Sequence, residues 1–429
     1  MKKYEVIYHK YKEDIINGHL VEEERLPSIR QACELFKVSQ TTVEHAYSLL
    51  VMDGYIQPVF KAGYVVCLSN DQAQLHKQME EYTVEHAPTS FQYDFRSRSV
   101  SYDSFEISIW KRYLKQIVSN PGIMSSYGDR QGEYSLRQAL SQYVYRNRGI
   151  ICSPEQVWIG SNYQSLLFAF CGMLPKNTRI GMEIRNNEQA LRVFTSYGFT
   201  VQDVDFNDLS NVDVLYINTA CMTKKHVPIS KDLQNHILKE AKKHHILILE
   251  DDYNGELTYR SKDRHALFSF EENNQVVYCG SFSRLLLPSV RISYLILNQS
   301  YGQFYASHQD EYGPMASKLE QLAVASYIVD GCMEKHLRKL KREYRKKSLM
   351  MEACLKSWNV SYRLNEAYMC YEVDIIVDEQ LMDCCSKANI GISVSANQKL
   401  ELSFASIAKE DIEIAMNLLK NLIFSSDMC

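Results

Sequence analysis

Two short apolar runs, residues 246–249 (ILIL) and 275–279 (QVVYC), constrain the fold of this 429-residue chain more than any other feature. Each has the length of a strand rather than a helix, and each is apolar on consecutive rather than alternate residues. A strand apolar on both faces belongs inside a parallel sheet covered by helices on both sides. In such an open α/β sheet, functional groups collect in the crevice beyond the C-terminal strand ends. The first run delivers Glu250, Asp251, Asp252 and Tyr253; the second delivers Gly280, Ser281, Phe282, Ser283 and Arg284. The pattern therefore predicts one crevice shared by Asp251, Tyr253, Ser281, Ser283 and Arg284.

The N-terminal segment follows a different rhythm. Tyr4, Ile7, Tyr11 and Ile15 recur at helical spacing until Gly18. Ser28 and Gln31 have the spacing of a capping box that opens a second helix, with Ala32, Leu35 and Phe36 as its apolar stripe. Ser39 is placed to cap a third, whose stripe is Val43, Ala46, Tyr47 and Leu50. Residues 53–56 and 63–66 read as two short strands around a loop holding Lys61. Three helices and a β-ribbon make the pattern of a winged helix-turn-helix, whose third helix enters the major groove.

The wording of this segment also resembles GntR regulators: R-L-P-S-x-R at residues 25–30, V-S-x-x-T-V at 38–43, A-Y-x-x-L at 46–50, then D-G-Y-I. The resemblance implies that Ser28, Arg30, Gln40, Thr41, Thr42 and His45, with Lys61 on the wing, face double-stranded DNA. Gln40 stands where the family often has arginine, and bidentate geometry pairs glutamine with adenine. Residues 1–68 hold eight Lys and Arg against nine Asp and Glu, so few phosphate contacts and a modest salt dependence are expected.

The remainder resembles fold-type I pyridoxal-phosphate aminotransferases, and most closely the aminotransferase-like domain of MocR-type GntR regulators. By that resemblance Asp251 pairs with the pyridinium nitrogen and Tyr253 with the phenolic oxygen of the cofactor. Ser281, Ser283 and Arg291 hold its phosphate, as does the turn containing Ser161, and Tyr127 reaches the phosphate of a neighbouring subunit. The imine-forming lysine is replaced by Arg284. A guanidinium offers no neutral amine at physiological pH, so the chemistry of the imine is missing. Lys224 and Lys225 read as an exposed loop pair rather than substitutes.

Other positions depart from the family as well. Arg130 replaces a proline, and Asn162 and Tyr163 are bulky where a Gly-rich phosphate turn is expected. No ring follows Ile184 where the family stacks an aromatic on the pyridine, and Glu401 lies in the segment that carries the substrate-clamping arginine. Lysine, stacker, phosphate turn and carboxylate clamp are lost together.

Composition adds limits. Hydrophobic and charged fractions of 45% and 23% suit an ordinary folded protein with ample core, and no run is long enough to span a membrane. Twelve scattered cysteines without a C-x-x-C motif, in a chain with no secretory signal, are expected to be free thiols in the cytoplasm. Residues 335–347 hold eight basic side chains in thirteen, read as the solvated face of a helix that leads into a small C-terminal lobe.

The expected architecture is a winged helix-turn-helix at 1–68, a linker at 69–90 and an α/β aminotransferase-like domain at 91–429. That domain should have a large part at about 91–333 and an α+β lobe at about 348–429. The expected function is a sequence-specific transcriptional regulator that binds operator DNA as a homodimer. Its body is catalytically inactive and open to a small-molecule effector, with no covalent cofactor and with noncovalent pyridoxal phosphate or another anion as the ligand class. The alternative is a pyridoxal-phosphate-dependent aminotransferase, or a sensor of that cofactor, with an unconventional site.

Overall fold

Ile7, Tyr11 and Ile15 close one face of α1 (Lys3–Ile16) onto α2 (Ile29–Phe36) and α3 (Gln40–Met52), whose Ala32, Val43, Ala46, Tyr47 and Leu50 are fully buried. The Tyr47 hydroxyl donates to the Pro27 carbonyl at 2.9 Å, tying α3 to the turn before α2. The ribbon is β1 (Ile56–Val59) antiparallel to β2 (Gly63–Val66). It starts at Ile56, not at residue 53 as the sequence suggested. Asp53 caps α3 and Gly54 turns the chain at φ +77°, so the first paired residue comes later.

This computed structural model describes residues 3–59, 63–67, 91–96, 105–185, 187–219, 229–252, 254–261, 265–270, 274–395 and 397–424. Two units are present, Met1–Ser90 and Phe91–Cys429. The expected linker, Lys61, Lys224, Lys225 and Tyr253 lie outside the described residues.

In the second unit, α4 (Ile107–Val118) and α5 (Tyr134–Arg148) precede β3 (Val157–Gly160) and α6 (Tyr163–Cys171). Then come β4 (Arg179–Met182), α7 (Glu188–Ser196), β5 (Thr200–Asp203), β6 (Val214–Asn218), α8 (Lys231–His244) and β7 (Leu247–Asp251). The sheet finishes with β8 (Val276–Ser281) and β9 (Ser293–Ile296). Its order is β3-β9-β8-β7-β6-β4-β5, mostly parallel, as the two apolar runs required. It is mixed rather than wholly parallel, because β9 pairs antiparallel with both neighbours. The connection from β8 to β9 contains no crossover helix, and a short return of that kind permits only the antiparallel direction.

Alternation along the strands sorts the core. Tyr216, Leu249, Val277 and Cys279 pack on the side of α6 and α7, while Leu215, Ile217, Ile248 and Val276 pack against Ile237 and Ala241 of α8. After α9 (Gln299–His308) and α10 (Lys318–Val329), the long α11 (Cys332–Lys356) leads into the lobe. The lobe sheet has strand order β10 (Tyr362–Asn365), β11 (Cys370–Ile376), β13 (Lys399–Ser403), β12 (Ser393–Val394), with α12 (Glu379–Lys387) and α13 (Ile412–Phe424).

Leu337, Leu340 and Tyr344 form the buried stripe of α11, and Lys335, Arg338, Arg342, Arg345 and Lys346 are exposed. Lys347 is the buried exception, donating to the Ala405 carbonyl at 3.1 Å. Among the described residues nine cysteines are free thiols; Cys384, against expectation, is disulfide-bonded. Among the described residues no helix is long and apolar enough to cross a membrane.

Candidate functional site

The outward face of α3 presents Gln40, Thr41 and His45, all exposed, with Thr42 half-buried beside them. Ser39 occupies the cap position of α3 without capping it. Its hydroxyl instead bonds those of Thr41 at 3.0 Å and Thr42 at 2.8 Å, which fixes both threonine rotamers. Gln40 donates to Glu44 at 2.8 Å, and the His45 ring lies 4.2 Å from that of Tyr4. Arg30 on α2 is 91% exposed and meets Glu34 along its own helix, at 3.5 Å. Ser28 has a structural duty: its hydroxyl accepts the Gln31 amide at 3.3 Å while the Gln31 side chain accepts the Ser28 amide at 2.9 Å. That is the capping box read from the sequence, and it commits the serine to its own helix.

The crevice of the larger unit is built at the ends of β6, β7 and β8. Parallel register places Asp251 beside Asn218 and Cys279, so Tyr216, Asp251, Cys279 and Ser281 share one face of the sheet. The Tyr216 hydroxyl donates to Asp251 at 2.6 Å. The Tyr163 ring stands 6.4 Å from that of Tyr216, and burial together with the Asp251 charge pushes both phenols well up. The sequence reading missed Tyr216, since nothing in a strand marks which tyrosine will meet the end of the next strand.

Ser281 and Ser283 lie 2.7 Å apart, and Ser293 donates to Ser281 at 2.9 Å. The β8–β9 register, extended by the bond from the Phe282 amide to the Ile292 carbonyl, sets Arg291 opposite Ser283, with Arg291 exposed. Arg284 is only 8% exposed, and its charge bears on Tyr344 of α11. Ser161 accepts from the Asn162 amide group at 3.3 Å, and Asn162 caps α6 by accepting the Ser165 amide at 2.8 Å. Tyr127 is 98% exposed, with Lys318 donating to its carbonyl at 3.1 Å. Arg130 pairs with Asp310, and Arg185 donates to Asn397. Glu401 faces Glu372 across β13 and β11; burial first and Glu372 second push its carboxyl up.

These residues do not fit a covalently held pyridoxal phosphate. The buried cation is a guanidinium, the acid is engaged by a tyrosine, and the amide at the start of α6 is already taken by Asn162.

The opposite face of β7 carries a second polar cluster. Glu250 accepts from the Leu267 amide at 2.7 Å, the Phe268 amide at 2.9 Å and Thr219 at 2.8 Å. Asp252 accepts from Arg148 at 2.5 Å and Tyr278 at 2.8 Å, all three buried. Glu256 is also buried, with its Oε1 unpartnered, and burial followed by the Asp252 charge pushes its carboxyl up to about 7. Burial first and the Asp252 charge second also push Glu250 up to about 7, against its three donors, which favour the ionised form. Arg148 was not foreseen, because its partner lies 104 residues away.

Fold and surface together define a two-part protein: a winged helix-turn-helix head and an aminotransferase-like body. Residues 3–66 match the model of bacterial regulatory proteins, gntR family, and residues 101–372, more than half of the chain, match aminotransferase class I and II. The chain belongs to the aminotransferase class I and II family. It is 28% identical to YdeL of Bacillus subtilis, an uncharacterized HTH-type transcriptional regulator, over 97% of this chain and 96% of that one. It is 25% identical to MocR of Rhizobium meliloti, a probable rhizopine catabolism regulatory protein, over 79% and 74%. Among solved structures it is similar to kynurenine aminotransferase of Pyrococcus horikoshii, with TM-score 0.66 and 18% identity over 82% of this chain and 95% of the other. That likeness defines the fold of the body.

Proposed function

We infer that this chain is a sequence-specific DNA-binding transcriptional regulator whose aminotransferase-like body dimerises and does no transamination. The observation that carries the reading is the exposed polar face of α3, held on a gntR-family head by a buried core of aliphatic and tyrosine side chains. An α-helix of this kind fits the major groove, where Gln40, Thr41, Thr42 and His45 reach base edges and Arg30 a phosphate. One relative matched over nearly its full length and another matched over 74% of its own bear regulator names. The body's part rests on Arg284, a buried guanidinium with no neutral amine to offer an imine, at the position where the resemblance puts the lysine. Dimerisation rests on the nearly full exposure of Tyr127, a residue type whose ring is usually half covered.

A second reading of the crevice is favoured by the Ser281, Ser283 and Arg291 corner, which suits a noncovalently held anion, pyridoxal phosphate included. Two experiments test these readings. In gel shifts against genomic operator fragments, Arg30→Ala and Thr42→Ala should each weaken specific binding about tenfold or more; unchanged shifts for both would remove the head assignment. In titrations with pyridoxal phosphate followed by borohydride, no reduced adduct should map to any lysine. A single labelled lysine, with amino-acid turnover, would restore the enzyme reading.

A further inference from the structure

The outward face of α3 carries a hydrogen bond that bears on which base it accepts. Gln40 and Glu44 stand four residues apart on the same side of the helix, Gln40 exposed and Glu44 half-buried. The core of the head is built from the other side, by Val43, Ala46, Tyr47 and Leu50. Gln40 Nε2 donates to Glu44 Oε1 at 2.8 Å, within the range of a charge-assisted bond. A carboxylate only accepts, so the contact also settles which way the amide faces, since a flipped group would set oxygen against oxygen.

That bond changes what Gln40 can read. A glutamine amide has two N–H donors and one carbonyl acceptor. In the major groove guanine shows two neighbouring acceptors, N7 and O6, whereas adenine shows an acceptor, N7, beside a donor, N6. With both N–H groups available, glutamine suits either purine: two donors for guanine, or a donor and an acceptor for adenine. With one N–H held by Glu44, a single donor and the Oε1 acceptor remain, which match adenine and not guanine. Glu44 also sets an acceptor-only group beside the contact, unfavourable to the acceptor pair of guanine. The neighbours are fixed in a comparable way. Ser39 holds the hydroxyls of Thr41 and Thr42, and the His45 ring rests against that of Tyr4. Side chains already held in one geometry are what a discriminating contact requires.

We propose that Glu44 is a specificity-determining residue of the operator contact, which restricts Gln40 to adenine by withholding one of its two N–H donors. Glu44 acts here as a positioning residue, and its role rests on the reading of the head as a sequence-specific DNA binder.

The test is selection of binding sites from a randomised duplex library by the full chain, as wild type, Gln40→Ala and Glu44→Ala, each checked by thermal melting. Gln40→Ala marks the base pair that Gln40 faces, as the position whose preference collapses. Adenine should dominate at that pair for the wild type. In Glu44→Ala the preference for adenine over guanine there should fall about tenfold, while the rest of the motif is kept. Guanine at that pair in the wild type, a motif untouched by Gln40→Ala, or an undiminished adenine preference in Glu44→Ala would each overturn the proposal. So would an equal weakening at every position, which a merely structural or long-range charge effect would give. A wild type that selects no motif at all would instead remove the regulator reading itself, and the role of Glu44 with it.

Discussion

Truncating Asp252 would leave the Arg148 guanidinium buried without its carboxylate, 2.5 Å away in the native chain. Losing one member of a buried ion pair costs about 3–5 kcal/mol, so Asp252→Ala should lower the unfolding free energy of the body by that order in urea titrations. Glu256 should act through pH instead. Its carboxyl stands near 7 in the folded chain against an ordinary 4.5. Below 4.5 both states hold the proton; between 4.5 and 7 only the folded state does, so stability falls as pH rises through that window and levels off above it. Glu256→Gln should flatten this decline in melting temperature measured from pH 4.5 to 8. Gly280 gives a steric counterpart. A Cβ there would come within 2.4 Å of the Tyr294 ring, so Gly280→Ala should cost about 1–3 kcal/mol. None of these three roles was legible in the sequence. Each depends on a contact between residues brought together by the sheet and its covering helices, and an isolated D-D-Y or C-G-S gives no hint of its neighbours.

At the scale of elements the sequence was far more legible, because caps and apolar periods are local. The Ser28 and Gln31 capping box was readable from spacing alone and is present in both directions. Ser28→Ala should therefore cost the head about 1 kcal/mol, and Ser28→Asn should recover most of it, as read by thermal melting. A DNA-contact role alone would leave melting unchanged. The strand character of residues 246–249 and 275–279 was equally plain, since consecutive apolar residues of that length have few other homes. Strand direction was not: β9 runs antiparallel because of the short return after Ser281, a property of connection length rather than of composition. The basic run of α11 divides similarly. Its period puts five cations on the exposed side, but only the packed lobe turns Lys347 inward to the Ala405 carbonyl.

For the whole molecule, a head with eight cations against nine anions should give a log–log salt slope for DNA binding well short of the ten or so of a strongly basic repressor. A fluorescence anisotropy series in salt measures it. Sedimentation should find a dimer, and Tyr127→Asp should shift it toward monomer if that exposed ring seats against a second copy. The sequence by itself determined the two-part architecture, the helices of the head and the sheet strands. These follow from local period and cap chemistry. Only the tertiary structure decided that Tyr216 engages Asp251, that Asn162 closes the start of α6, and that a carboxylate cluster lies on the far face of β7. Those outcomes depend on strand register and on which face each residue meets, and register is fixed by the packing of the whole sheet rather than by any one stretch of chain.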